Sequence, residues 1–189
     1  MPSPGARLDA AFFARDTRVV ARELIGAVLA HGGVAGRIVE TEAYRGDAAS
    51  HYVMRPKTAQ MMGTTYAHLY VYRIYGMHHC VNVTTEDGRP GAVLLRALEP
   101  LEGLDTMRAR RGGRRDAELA SGPARLAVAL GIGPEMNGSR FDADLTWTAR
   151  LRRPRIVAGT RVGITRAAHL PWRFRLADSP WTSRARGAT

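Results

Sequence analysis

In the run Arg37-Ile38-Val39-Glu40-Thr41-Glu42-Ala43-Tyr44, an acidic or phenolic side chain falls at every second position from Glu40. On a strand, successive side chains point to opposite faces, so Glu40, Glu42 and Tyr44 share one face and Val39, Thr41 and Ala43 the other. Two carboxylates and a tyrosine together make either a polar face toward solvent or one wall of a site where a carboxylate accepts a proton. The residue types alone leave both readings open. His51, a few positions on, fits a surface or packed histidine as well as a catalytic one.

A second cluster is Tyr70-Val71-Tyr72-Arg73-Ile74-Tyr75-Gly76-Met77-His78-His79. Tyr70 and Tyr72 share a strand face, where tyrosine usually packs with its hydroxyl satisfied. Tyr75-Gly76 falls where the chain must turn. An aromatic ring at a turn either folds back onto the core or projects as a wedge, and an inserted wedge kinks DNA and helps to extrude a base. His78 and His79 point to opposite faces and no second Cys or His pair completes a ligand set, so no metal is expected. Two polar residues in apolar strands need partners: Asn82 in Cys80-Val81-Asn82-Val83-Thr84, and Arg96 in Val93-Leu94-Leu95-Arg96-Ala97-Leu98. An arginine in such a strand calls for a carboxylate, and Glu42 is a candidate. Lys57 is the single lysine of the chain, which disfavours Schiff-base chemistry.

These residues need a scaffold. Leu8 to Leu29 reads as helix, with Asp9 a candidate N-cap and Phe12, Phe13, Val19, Val20, Leu24 and Ile25 apolar. Strands are expected from Val28 to Ala30, Val34 to Ala43, His68 to Ile74, Cys80 to Thr84 and Ala92 to Ala97, separated by short Gly-bearing or charged turns. Leu101 to Arg111 reads as helix, Gly112-Gly113 breaks it, and Pro123 opens another that Gly131 ends. Arg155 to Ile164 and Arg173 to Leu176 read as closing strands, and residues 1–7 and 182–189 as loose tails. Strands in close succession with short turns imply a single α+β domain over residues 1–189, a mostly antiparallel sheet with flanking helices.

Composition narrows the class. The 189 residues, 45% hydrophobic, suit one domain with a buried core. The net charge of +11 is one-sided: residues 1–104 hold 10 arginines, the lysine and 10 acids, whereas residues 105–189 hold 17 arginines against 7 acids. Such an excess attracts polyanions, although a high-GC genome also favours arginine codons. Cys80 is the sole cysteine, so no intramolecular disulfide can form, which fits a reducing compartment. No apolar run approaches the roughly 18 residues of a membrane span. Residues 1–7 carry no apolar stretch of a signal peptide, and a cytoplasmic location without membrane partners is expected.

The sequence resembles the 3-methyladenine DNA glycosylase family of the mammalian alkyladenine type. The similar segments are Arg37–Tyr44, Leu69–Tyr72, Ile74–Met77, Val93–Pro100, Ser121–Leu126, Arg161–Ile164 and Ser179–Trp181, in the family's order and spanning nearly the whole chain. The resemblance implies a curved antiparallel sheet with a β-hairpin that inserts into DNA. It also implies roles at matched positions. Glu42 corresponds to the general base that activates a water, Arg96 to the arginine that helps to hold that water, and Val162 to a contact made through its carbonyl. Tyr44, His51 and Tyr72 correspond to aromatic walls that sandwich a flipped base, and Asn82 to a gate against the guanine amino group. Tyr75 corresponds to the residue inserted through the minor groove, with Met77 beside it on the DNA-contacting turn. A monomer acting on double-stranded DNA with a damaged purine, without a cofactor, is the implied form. One segment departs from the family: residues 52–66 lack its Arg-Asn pair, so binding or specificity is expected to differ there. Two other classes remain: a basic DNA- or RNA-binding domain without chemistry, and an enzyme acting on small nucleosides.

Overall fold

A computed structural model of the chain describes residues 2–183. Its helices are α1 (Ala10–Phe13), α2 (Thr17–Glu23), α3 (His51–Met54), α4 (Met61–Thr64), α5 (Leu104–Arg110), α6 (Asp116–Leu119) and α7 (Pro123–Leu130). Its strands are β1 (Val28–His31), β2 (Val34–Tyr44), β3 (Leu69–Ile74), β4 (His78–Thr84), β5 (Ala92–Glu102), β6 (Leu145–Thr148), β7 (Ile156–Gly159) and β8 (Arg173–Leu176). These strands form one curved α+β sheet in the order β3-β4-β5-β2-β1-β6, with β8 against β2 and β7 against β8. Every pairing is antiparallel. β2 is the hub: β5 lies along one edge, while β1 and then β8 share the other.

The hub does not alternate perfectly, and the irregularity decides where the charges go. Ile38 and Ala43 both enter the main core although they are an odd number of residues apart, which strict alternation forbids. The break is a pair of bulges. Val39 has no partner between Ile38↔Leu98 and Glu40↔Ala97, and Arg96 has none between Glu40↔Ala97 and Thr41↔Leu95. A bulge re-aims a side chain. Here it leaves Thr41, which donates its hydroxyl to the Ala21 carbonyl of α2, on the core side. Glu40, Glu42 and Arg96 are left to meet on the opposite face. The core side is filled by α2, α5 and α7 and by Phe13, Leu24, Leu95, Leu98, Phe141 and Trp147.

Several expected elements change. The helix expected over Leu8–Leu29 is two short ones. Asp9 caps α1 as read, but Asp16 accepts from the Arg18 and Val19 N–H groups and starts α2 afresh. Gly26, at φ 91°, then turns the chain toward β1. Leu101 and Glu102 still belong to β5, because Gly103 at φ 68° makes the corner; a Cβ there would lie 2.5 Å from the Gly33 carbonyl oxygen. The strand expected over Arg155–Ile164 ends at Gly159, and Arg161 turns inward instead of pairing. β6 and the four-residue helices α3, α4 and α6 were not read from the sequence, being too short to show a period. The ends expected to be loose are tied where they are described. Gly5 N–H reaches the Ala149 carbonyl, Arg7 bridges Thr148, and Ser183 is bonded to Glu40; residues 184–189 lie outside the described residues. No helix among the described residues is long and apolar enough to cross a membrane.

Candidate active site

Glu40 and Glu42 are both fully buried, and each is held in its own way. Glu40 accepts from Arg96 Nε at 3.1 Å, Arg173 Nε at 2.6 Å, the Ser183 N–H at 2.6 Å and the Ser183 hydroxyl at 2.9 Å. Three of these donors meet Oε1 and the Ser183 N–H meets Oε2, and every one of them is a protein group. Glu42 accepts the Val162 N–H on Oε1 at 2.8 Å and the Tyr44 hydroxyl on Oε2 at 2.8 Å, with Arg96 Nη1 at 3.3 Å from Oε1. A carboxylate offers about four acceptor positions, so Glu42 keeps capacity for one more donor.

The two carboxylates are balanced by Arg96 and Arg173, which makes a buried cluster without net charge. Leaving either sign unpaired there would cost several kcal/mol. Burial alone would lower Arg96, but Glu42 and then Glu40 outweigh it and hold its guanidinium above the ordinary value. Burial, reinforced by the Glu42 charge, pushes the Tyr44 phenol far above its usual range. Tyr44 therefore stays a donor at any working pH and keeps the carboxylate aimed.

Beside this cluster stands an aromatic group. Ring centroids of His51 and Tyr72 are 4.3 Å apart, and those of Tyr70 and Tyr72 are 5.5 Å apart. His51 and Tyr72 touch each other, so they act as one wall; Tyr44, close enough to Tyr72 to help raise its phenol, flanks it. His51 Nδ1 lies 3.1 Å from the Tyr70 hydroxyl. Burial first, then the nearby Arg55 charge, depress its imidazole to about 4. His51 is thus neutral at pH 7, a polar aromatic surface and not a cation. Its titration followed by NMR is expected to centre near pH 4, and a midpoint of 6.5 or above would contradict this. Because the folded ring resists protonation, the unfolded chain takes up the proton more readily between about pH 4 and 6.5. The contribution of His51 to stability is full above that window and is lost as the pH falls through it.

Asn82 is buried opposite Tyr70 and donates its Nδ2 to the Tyr70 carbonyl at 2.9 Å. That bond explains an amide in an apolar strand. β3 and β4 form a hairpin closed at Ile74↔His78. At its turn Tyr75 and Gly76 have φ of 51° and 72°, the sign pattern of the mirror-image turns that suit twisted hairpins. For tyrosine this conformation is strained by about 1–2 kcal/mol. Tyr75 and Met77 are 75% and 71% exposed at this tip, so neither packs into the core.

The structure thus gathers Glu42, Arg96, Tyr44 and Val162 in direct contact, with His51 and Tyr72 adjoining and Tyr75 and Met77 at the hairpin tip. Val162 contacts the site through its N–H on Glu42, a contact the sequence reading did not include. Arg173 and Ser183, which bind Glu40, have no role assigned by the sequence, and neither has Arg161, although it opens the Arg161–Ile164 segment. The alternating Arg173-Phe174-Arg175-Leu176 puts both arginines on the face away from the core, and only the fold shows that this face is covered at Arg173. Among the described residues no group of three or more His, Cys, Asp or Glu side chains could hold a metal ion.

Comparison with known proteins gives a consistent result. Residues 11–180 match the family model described as methylpurine-DNA glycosylase. A protein of Methanoculleus marisnigri, named provisionally as a 3-methyladenine DNA glycosylase, is 50% identical over 94% of this chain and 98% of its own length. Similarly named proteins of Rhodopseudomonas palustris and Rhizobium meliloti are 49% and 47% identical, over 97% and 93% of this chain and 91% and 96% of their own lengths. With this coverage and identity, the chain belongs to the methylpurine-DNA glycosylase family.

Proposed function

We propose that the chain is a monofunctional DNA glycosylase of base excision repair, acting as a cytoplasmic monomer on double-stranded DNA. It flips out a damaged purine of the 3-methyladenine type and hydrolyses the N-glycosidic bond with an activated water, leaving an abasic site. The observation that carries this reading is Glu42: a buried carboxylate fixed on both oxygens, with a counter-ion and spare acceptor capacity, beside an aromatic wall.

The chemistry follows from that arrangement. A base inside the duplex is out of reach, so it must be extruded, at a cost of a few kcal/mol that is smallest for poorly paired lesions. Tyr75 offsets the cost by filling the gap, and its exposed, preset conformation suits a wedge. The arginine excess of residues 105–189 holds phosphates without reading sequence and makes affinity salt-sensitive. Arg108 serves less well, being paired with Asp105 and Asp116. In the site, the rings of Tyr44, His51 and Tyr72 border the base; a cationic purine gains a cation–π attraction and is already a good leaving group. Asn82 stands as the gate against the guanine amino group. Bond breaking builds positive charge on the sugar, as in glycoside hydrolysis. Glu42 faces that charge as a carboxylate and takes the proton of the attacking water, whose oxygen bonds to the sugar carbon as the purine leaves.

The test is release of free base from defined oligonucleotides, each carrying 3-methyladenine, 7-methylguanine, hypoxanthine or etheno-adenine. A non-catalytic DNA- or RNA-binding domain would bind all and release none. An enzyme of small nucleosides would act on them without competition from duplex DNA. For the wedge, Tyr75→Ser is expected to weaken lesion-duplex binding by about tenfold and to dim 2-aminopurine fluorescence at a flipped reporter, in line with the few kcal/mol at stake. Unchanged affinity and fluorescence would count against the role.

A further inference from the structure

The mechanism above gives Arg161 no part, yet this side chain is wholly enclosed. Its Nη2 meets Asp47 Oδ1 at 2.7 Å, and its Nη1 meets Asp47 Oδ2 at 3.1 Å and the Ala43 carbonyl at 3.0 Å. Its guanidinium lies 4.6 Å from the centre of the Tyr44 ring and 5.2 Å from that of Trp172. Burial would raise the Asp47 carboxyl, but Arg161 and the Ala49 and Arg45 N–H groups prevail and hold it below its ordinary value. A buried, bidentate, ring-stacked arginine is a rigid anchor.

What it anchors matters. β7 ends at Gly159, and residues 160–166 make no backbone-to-backbone hydrogen bond among the described residues. The loop that presents the Val162 N–H therefore lacks ladder support, and Gly163 at φ 75° bends it further. Arg161 is the adjoining residue of that loop. The same guanidinium supports the face of Tyr44 and holds the carbonyl between Glu42 and Tyr44. It thus reaches both donors that fix the Glu42 oxygens, one through the chain and one through the ring.

We propose that Arg161, braced by Asp47, is a positioning residue that locks the Val162 N–H and the Tyr44 hydroxyl onto Glu42. The catalytic consequence rests on the glycosylase reading above; the lock itself does not. Arg161→Ala and the isosteric Asp47→Asn test it in the full chain by two readouts. The first is amide hydrogen exchange at Val162, expected to accelerate by about tenfold or more while amides of β2 and β5 keep their protection. The second is base release under single turnover with saturating enzyme, expected to slow by about tenfold or more while lesion-duplex affinity stays within about twofold. Guanidinium ion added to Arg161→Ala is expected to restore part of the rate.

Unchanged exchange at Val162 in both variants overturns the proposal. So does faster exchange with an unchanged rate, or a general loss of protection in which rate and affinity fall together. Should Arg161→Ala not fold, Asp47→Asn decides alone. If Val162 exchange responds as expected but the unaltered protein releases no base from any lesion, the glycosylase reading falls and the lock stands.

Discussion

Glu42→Gln is expected to abolish detectable base release while leaving the fold and duplex binding intact. The amide matches the carboxylate in shape. Its oxygen can still accept the Val162 N–H, and its NH2 can donate to the Tyr44 hydroxyl, which turns to accept. The amide cannot take a proton from water, nor does it place a full negative charge beside a cationic sugar. A positioned general base contributes about 10²–10⁴-fold, and loss of the opposing charge adds to that. The measurement is single-turnover release of 3-methyladenine, with anisotropy on the same duplex for binding. A rate equal to that of the unaltered enzyme would remove Glu42 from the mechanism.

Arg96→Met is expected to be the most destabilising single change in the site. Methionine fills the volume but supplies no charge. Glu40 keeps Arg173 and Ser183, whereas Glu42 loses the only cation in salt-bridge contact with it among the described residues. Removing one partner of a buried pair costs about 3–5 kcal/mol, which urea unfolding would register as a lower midpoint with an unchanged slope. Base release should fall with it. The companion Arg96→Met/Glu42→Gln removes both charges and should recover part of the stability without recovering activity. A midpoint for Arg96→Met equal to that of the unaltered protein would show that the buried charges are not coupled in this way.

Much of this arrangement was legible in the sequence. Strict alternation placed Glu40, Glu42 and Tyr44 on one face, and an arginine inside β5 called for a carboxylate. The structure agrees on both, and adds that Arg96 serves Glu40 as closely as Glu42. The opposed bulges at Val39 and Arg96 were not legible, because a bulge is a property of two strands in register and each strand alone reads as regular. The Val162 N–H escaped notice because every residue but proline has one, and only the fold says where it points. Arg161 and Arg173 were hidden by their own abundance, since in a half-chain rich in arginine an inward-facing one looks like its neighbours. The helix expected over Leu8–Leu29 failed for a local reason: Asp16 offers a better cap than continuation.

The bond between Ser183 and Glu40 closes a span of 143 residues, and this sets an order on biosynthesis. A nascent chain that has reached Pro180 can already hold β2 against β5, because those strands lie far upstream. It has yet to present two of the four donors that quench Glu40. Until Ser183 is in place, the carboxylate at the centre of the sheet has only Arg96 and Arg173, and the side that Ser183 covers is open to water. The hub strands are complete in sequence by Glu102, whereas the last two donors to the charge beside the reacting groups come only at Ser183.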